Sequence, residues 1–272
     1  MKKLLAFLLL GLAIIAIPAY FYLHRPVKSD KQPLILGHGG MGVRSVYPLN
    51  SAGSINKAFT YPIEGTEIDV KISLDGELIA FHDGTLEEST SCKRNVASTL
   101  SKDLENCEYN SMIHSENVQR LKSILDSSYP DGTIFSLDLK PDGQVEGDFL
   151  IGFGMELVKL TQDYPQYQFL IESQSREFLS SLKMAGAKAK LFYYGNRKNI
   201  ASQIVAHHEF DGISINIENI TAQEIKSAQR LGIEVMLWGC GSVFSNRKAL
   251  EMEPDIIQTD AIPSMMKILE KE

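Results

Sequence analysis

The sequence predicts an α/β fold, a (β/α)8 TIM barrel preceded by an N-terminal transmembrane or signal-anchor helix. Three observations carry this. Strand-like and helix-like segments alternate in eight units over residues 34–272, the number and length such a barrel needs. No GxGxxG fingerprint follows any strand, which disfavours the runner-up, a doubly wound open sheet. An uncharged apolar run opens the chain.

That run, Leu4 to Leu23, has 20 residues without a charge, about enough to cross a hydrocarbon core as a helix. A cleaved signal peptide is the rival, although Ile17-Pro18-Ala19 makes a poor small-residue cleavage site. No Cys ends the run, so a lipoprotein anchor is disfavoured. Lys2 and Lys3 oppose Arg25, Lys28 and Lys31, so charge balance alone hardly orients the segment. Its export-signal layout puts the following domain outside the cytoplasm, membrane-anchored, or secreted or periplasmic if the segment is cleaved. The expected division is 1–24 anchor or signal, 25–33 linker and 34–272 barrel.

The strands follow in order. "LILG" (34–37) opens the barrel, and 67–72 and 78–82 form one unit around the "SLDG" turn at 73–76, an antiparallel return. After them come "TIFSLDLK" (133–140), "QFLIE" (168–172), "KLFYY" (190–194), "GISINIE" (212–218), "EVMLW" (234–238) and "DIIQTD" (255–260). Between them lie helical patterns such as "GDFLIGFGMELVKLTQDY", "SREFLSSLKMAG" and "TAQEIKSAQRLG", the last two closing on Gly. The segment 83–116 has few helix or strand signals and is expected to form a loop or insertion at the barrel mouth. Cys92 and Cys107 lie within it. They are either a disulfide contributing ~3 kcal/mol in an exported domain or two separate buried thiols, and Cys240 is left free. No cysteine pattern suits zinc.

The formal charge of −7 and the pI near 5.5 exclude the basic face of a nucleic-acid binder. Alternation in a barrel sends one face of each strand to the helices and the other inward. Ile68, Val70 and Ile72 suit the helix layer, so Glu67, Asp69 and Lys71 point inward. The same arithmetic sends Ser136, Asp138 and Lys140 inward, and likewise Ser214, Asn216 and Glu218; Trp238 ends its strand on the face of Met236. Buried carboxylates cost several kcal/mol each unless compensated. Either Lys71 and Lys140 pair with them, or a divalent cation, Mg²⁺ or Ca²⁺ by its oxygen ligands, sits among Glu67, Asp69 and Asp138. His38 and His82 end strands beside this cluster, where barrel active sites lie, and suit a general acid–base pair. His207 and His208 read as surface residues, and His24 belongs to the membrane flank. A barrel glycosidase using Asp138, Glu172 or Glu218 would leave both strand-end histidines unexplained.

"GHGG…PLNS" followed by "GTEIDVKISLDGELIAFHDGTLEEST" resembles the opening of the glycerophosphodiester phosphodiesterases: a His-Arg-Gly strand end, Pro-Glu-Asn, Glu-x-Asp, a Thr-x-Asp-Gly turn and His-Asp. "SLDLK" falls where that family has Glu-x-Lys, and "EVMLWGCGS…DIIQTDAIP" resembles its closing Trp segment and Thr-Asp-x-Pro. The likeness covers residues 34–265. It implies a metal on Glu67, Asp69 and Asp138, catalysis by His38 and His82, a phosphate or ligand contact from Lys140, and a glycerol wall from Trp238. The implied reaction cleaves a glycerophosphodiester, a small or lipid-derived substrate, to an alcohol and glycerol phosphate.

Three positions depart from the pattern. Gly39 replaces the Arg, so backbone amides of Gly39, Gly40 and Gly42, or the nearby Arg44, are the substitutes for its charge at the phosphate. Leu49 replaces the Glu of Pro-Glu-Asn. Asp138 replaces a Glu, as in the related spider-venom sphingomyelinases D, whose Asp-x-Lys this chain also resembles. A sphingomyelinase-D-like phospholipase and a catalytically degenerate ligand-binding barrel are therefore the alternatives. Lys93 and Arg94 in the mouth segment are either a replacement charge or a solvated loop face.

Overall fold

Short aliphatic runs bounded by polar or glycine turns become strands because alternate side chains then bury on two faces. The computed structural model describes residues 14, 17, 20, 22, 25–27, 31–140, 148–196 and 209–270. Ten strands make one sheet among them: β1 (Leu34–Gly37), β2 (Gly65–Ile72), β3 (Leu78–Ala80), β4 (Gln119–Arg120), β5 (Ile134–Leu139), β6 (Gln168–Ser173), β7 (Ala189–Tyr194), β8 (Gly212–Asn216), β9 (Glu234–Cys240) and β10 (Ile256–Thr259). All but β3 and β4 run parallel, and β1 bonds both β10 and β2, closing an eight-stranded barrel. The expected return strand is present: β3 pairs antiparallel with the end of β2, Val70 opposite Ala80 and Ile72 opposite Leu78. A two-residue strand that the sequence did not announce, β4, extends it.

The α-helices among the described residues are α1 (Ala52–Ala58), α2 (Ser101–Leu104), α3 (Leu121–Leu125), α4 (Asp148–Asp163), α5 (Arg176–Met184), α6 (Ala222–Arg230), α7 (Val243–Glu251) and α8 (Ile262–Leu269). Ser51, Ser175, Thr221 and Ser242 cap α1, α5, α6 and α7 by accepting from the backbone N–H three residues on, which satisfies an otherwise orphaned donor. Ile68, Val70, Leu137 and Leu139 pack outward against Phe153 and Leu157 of α4, as the alternation requires. Inside the barrel Leu36, Ile134, Leu170, Phe192, Met236 and Ile256 form a separate apolar plug. Closing the barrel on itself leaves no parallel edge to shield.

The segment 83–116 is more than a loop. Leu86, Val96, Leu104 and Tyr109 pack with Ile79 and Phe81 into a small core of their own. Cys92 and Cys107 are joined as a disulfide with Cα atoms 5.4 Å apart, and Cys240 is free and buried. Lys93 and Arg94 are exposed, and neither lines the cavity beside His82. One inward assignment is corrected: Glu218 does not enter the barrel. β8 ends at Asn216, whose side chain accepts from the Glu218 N–H at the start of a 3₁₀ turn, so Glu218 faces solvent and pairs with Lys248 at 2.8 Å.

The apolar run 4–23 lies almost wholly outside the described residues, as do His24, linker residues 28–30 and the segment carrying His207 and His208. No helix among the described residues is long and apolar enough to cross a membrane. Val27 of the linker donates its N–H to the Ile268 carbonyl at 3.1 Å, so that part of the linker lies against the barrel.

Candidate active site

Register brings the acids together. Asp69 on β2 is opposite Asp138 on β5, and Asp138 is opposite Glu172 on β6. Ligand atoms of Glu67, Asp69 and Asp138 all lie within 4.8 Å of one another. Glu67, Asp69 and Glu172 are buried. Burial first, then the Asp69 charge, pushes the Glu67 carboxyl well above its ordinary range. Burial and then Glu172 raise Asp138 to about 7 against the opposing pull of Lys140.

Each acid has partial compensation. Lys140 Nζ lies 2.5 Å from Asp138 Oδ2 and 3.4 Å from Asp69 Oδ1, so the lysine-pairing reading is realised in part. Glu172 accepts from Ser136 at 2.7 Å and from Gln258 at 2.6 Å. Asp69 accepts from the Asn50 amide at 2.8 Å, while its own N–H donates to the Asn50 carbonyl oxygen at 3.0 Å. Asn50 makes both bonds from a left-handed backbone (φ 62°), a conformation Asn tolerates better than most residues. Glu67 Oε2 accepts the Gly39 N–H at 2.9 Å. Glu67 Oε1 is buried with no hydrogen-bond partner among the described residues.

That orphaned oxygen and the all-oxygen donor set fit a hard divalent cation. A Ca²⁺ ion takes oxygens at roughly 2.3–2.6 Å and Mg²⁺ at about 2.0–2.1 Å, so a set confined within 4.8 Å can share one centre.

His38 lies against the acids, and His82 follows Phe81, whose N–H donates to the Asp69 carbonyl at 3.0 Å. His38 follows β1, and its Nδ1 bonds Asp260 Oδ1 at 2.7 Å while Nε2 lies 3.8 Å from Glu67 Oε2. Burial opposes charging this imidazole, but the Asp260 hydrogen bond and the charges of Glu67, Asp260 and Asp69 outweigh it and push His38 up to about 10. His82 follows β3, with Nδ1 bonding Asp83 Oδ1 at 2.8 Å. Trp238 packs against Tyr194 with ring centroids 5.5 Å apart, and its Nε1 is buried without a hydrogen-bond partner among the described residues. The Lys140 ammonium lies 5.9 Å from the centre of the Tyr194 ring.

The glycine turn after β1 is engaged in holding this layout. The N–H of Gly39 goes to Glu67 and that of Gly40 to Thr66 Oγ1 at 3.0 Å, so neither amide is offered to a phosphate in this arrangement. Gly39 has φ 53°, and a Cβ there would meet Leu49 Cδ1 at 2.3 Å. The two departures at Gly39 and Leu49 are thus one adjustment: the leucine occupies the space above the glycine. Arg44 donates to the Gly241 carbonyl at 3.1 Å; burial pushes the Asp260 carboxyl up, but the hydrogen bond and charge of His38, then the Val43 N–H and the Arg44 charge, outweigh it and lower its pKa.

Residues 41–263 match the model of the family described as "Glycerophosphoryl diester phosphodiesterase family". The chain belongs to that family. It is accordingly a phosphoric diester hydrolase of the glycerophosphodiester phosphodiesterase type. No curated protein matches the chain in sequence. Among solved structures it is similar to an Oleispira antarctica phosphodiesterase in complex with the product sn-glycerol-3-phosphate, at 19% identity and TM-score 0.75 over 88% of this chain and 97% of that one. A Silicibacter pomeroyi protein assigned as a glycerophosphoryl diester phosphodiesterase gives 16% and 0.77 over 92% and 96%. A Galdieria sulphuraria protein assigned the corresponding activity gives 19% and 0.75 over 89% and 100%. At such identities these likenesses support the barrel fold alone.

Sequence reasoning did not single out Asp260, Asn50 or the hydrogen-bonded role of Glu172. Both Asp260 and Asn50 lay inside quoted motifs, "QTDAIP" and "PLNS". A strand-end Asp and an Asn before a capped helix were the available signals.

Proposed function

We propose that this glycerophosphodiester phosphodiesterase cleaves glycerophosphodiesters to an alcohol and glycerol phosphate, with Mg²⁺ or Ca²⁺ held by Glu67, Asp69 and Asp138. The observation that carries the reading is the buried acidic triad flanked by two His–Asp pairs. Bound there, the cation supplies positive charge against the phosphoryl oxygens. His38 and His82 each use Nδ1 on a carboxylate, which leaves Nε2 for proton transfer. One imidazole takes the proton from the attacking oxygen, and the other protonates the departing alkoxide. Lys140 holds the phosphate or its ligand carboxylates, Arg44 adds charge at the rim in place of the family Arg that Gly39 replaces, and Trp238 walls the glycerol side. The product named for the Oleispira relative, sn-glycerol-3-phosphate, supports a glycerol phosphate product.

The run 4–23 acts in this reading as an anchor or export signal, with the barrel outside the cytoplasm. The Cys92–Cys107 disulfide supports an oxidising compartment. Asp138-x-Lys140 keeps a cyclising, sphingomyelinase-D-like reaction as the second reading, which a cyclic rather than linear phosphate product would select.

A panel of glycerophosphodiesters assayed with and without EDTA, on the wild-type barrel and His38→Ala, tests the proposal. Cation-dependent release lost in His38→Ala is expected. A folded protein that binds a cation through Asp69, loses it in Asp69→Ala and releases nothing from any diester would instead be a binding barrel.

A further inference from the structure

A cavity of about 450 Å³ opens beside His82, within the size range of small-molecule sites. One wall is the loop after β1, with Val43, Val46 and Leu49; the other is the disulfide-stapled segment, with Tyr109, Met112 and Ile113. Phe81, His82 and Asp83 line the cavity between the two walls, and the Phe81 N–H donates to the Asp69 carbonyl at 3.0 Å, which sets this side of the cavity next to the strand that carries the acids. Val43, Val46, Met112 and Ile113 are exposed, so one rim gathers large apolar side chains that meet water, a clustering that marks a binding surface more than scatter does.

The polar groups of this cavity argue against an anionic occupant. None of its lining residues is Lys or Arg. Asp83 bonds His82, and Glu88 accepts from the Thr85 N–H at 2.9 Å and from its hydroxyl at 3.0 Å, so both carboxylates are already engaged. Tyr109 is buried, and its hydroxyl has no hydrogen-bond partner among the described residues. A buried unpaired hydroxyl is costly.

We infer that the cavity receives an apolar chain carried by the phosphodiester on its His82 side, so that the enzyme selects diesters with an alkyl or acyl substituent over those of small polar alcohols. The inference rests on the hydrolytic reading above and adds to it the substrate class. Chain-bearing and short diesters share the phosphate at the acidic centre and differ only in what enters this cavity.

The test is a ladder of glycerophosphate n-alkyl esters, ethyl, hexyl and decyl, with the choline ester alongside, kept below micelle formation. Turnover is measured with Mg²⁺ or Ca²⁺, and binding by calorimetry in EDTA. A fully buried methylene is worth up to about fourfold, so kcat/KM and affinity are expected to rise on the order of tenfold from ethyl to hexyl. Val46→Asp with Ile113→Asp, both at exposed positions, should cut the hexyl-to-ethyl ratio about fivefold or more. Turnover with a flat ladder, or a choline ester preferred to hexyl, would overturn the inference and leave the hydrolytic reading standing. A binding ladder without turnover would keep the cavity and remove that reading. A flat ladder with sedimentation on phosphatidylcholine vesicles, or with a dimer lost in the double variant, would reassign the rim to a membrane or a second copy.

Discussion

The two halves of the site hold similar chemistry by different means. On one side His38 is 23% exposed and bonds Asp260, a residue 222 positions away that only barrel closure through β1 and β10 brings near. On the other side His82 is 51% exposed and bonds its immediate neighbour Asp83, on a rim backed by a small disulfide-linked core. The hydrogen bonds are 2.7 and 2.8 Å. What differs is the number of tertiary contacts that must be correct for each to exist. His38 is tied to barrel closure, while the side facing the apolar cavity is built from a locally folded segment with its own small core.

Removing each imidazole in turn has the largest expected effect. His38→Ala and His82→Ala are each expected to lower kcat/KM by roughly 10²–10⁴-fold, the usual value of positioned acid–base groups. Added imidazole should restore part of the rate to His82→Ala, whose site is open, and none to His38→Ala. Equal rescue of both would erase the distinction drawn from exposure. The next effect is in the carboxylate partners. Asp260→Asn is expected to cost on the order of 10²-fold or more by letting His38 take the wrong tautomer. Asp83→Asn should cost about tenfold or less, since water can replace part of its bond to a half-exposed ring. Steady-state rates across pH for the two variants check the ranking.

Which parts were readable in the sequence follows from the same contrast. The barrel and the acidic triad were legible because alternation is a local property: Ile68, Val70 and Ile72 dictate where Glu67, Asp69 and Lys71 must go. Asp260 was not, because its partner is chosen by closure and nothing near "QTDAIP" names His38. Asn50 was hidden for a related reason, since its two bonds to Asp69 depend on a left-handed turn ahead of α1. Glu218 was misassigned because alternation was carried past Asn216, where the strand gives way to a 3₁₀ turn. Loop length alone does not fix the distance between the Cys92 and Cys107 side chains, so the sequence admits both a disulfide and two separate thiols.

The staple offers a further way to separate the two halves. Replacing both Cys92 and Cys107 by Ser should release up to ~3 kcal/mol of loop constraint. The expected result is cleavage within residues 83–116 under limited proteolysis, with the His82 side affected first and the barrel retained. If the barrel and the segment instead melt together, the segment is no separate unit and the contrast fails at that point.

The smallest expected effect lies where the segment meets the barrel. Asp75, in the turn between β2 and β3, accepts from the Ser101 N–H at 2.8 Å and from the Ser101 and Ser73 hydroxyls at 2.7 Å each, tying that turn to the start of α2. Desolvation is the largest single influence and works against its charge, but the hydrogen bonds from Ser101 and Ser73 together outweigh it and hold its pKa down at about 2. A carboxylate lowered in the folded state stabilises fully above its unfolded value, ~3.9, and loses that contribution as pH falls through the folded one. Asp75→Ala is therefore expected to cost about 1 kcal/mol near neutral pH, kept small because water screens the exposed group. The difference between wild type and variant in urea should shrink below pH 4 and vanish near pH 2. A difference independent of pH would mean that the turn needs the side chain's shape and not its charge, and the two halves would then be joined by packing alone.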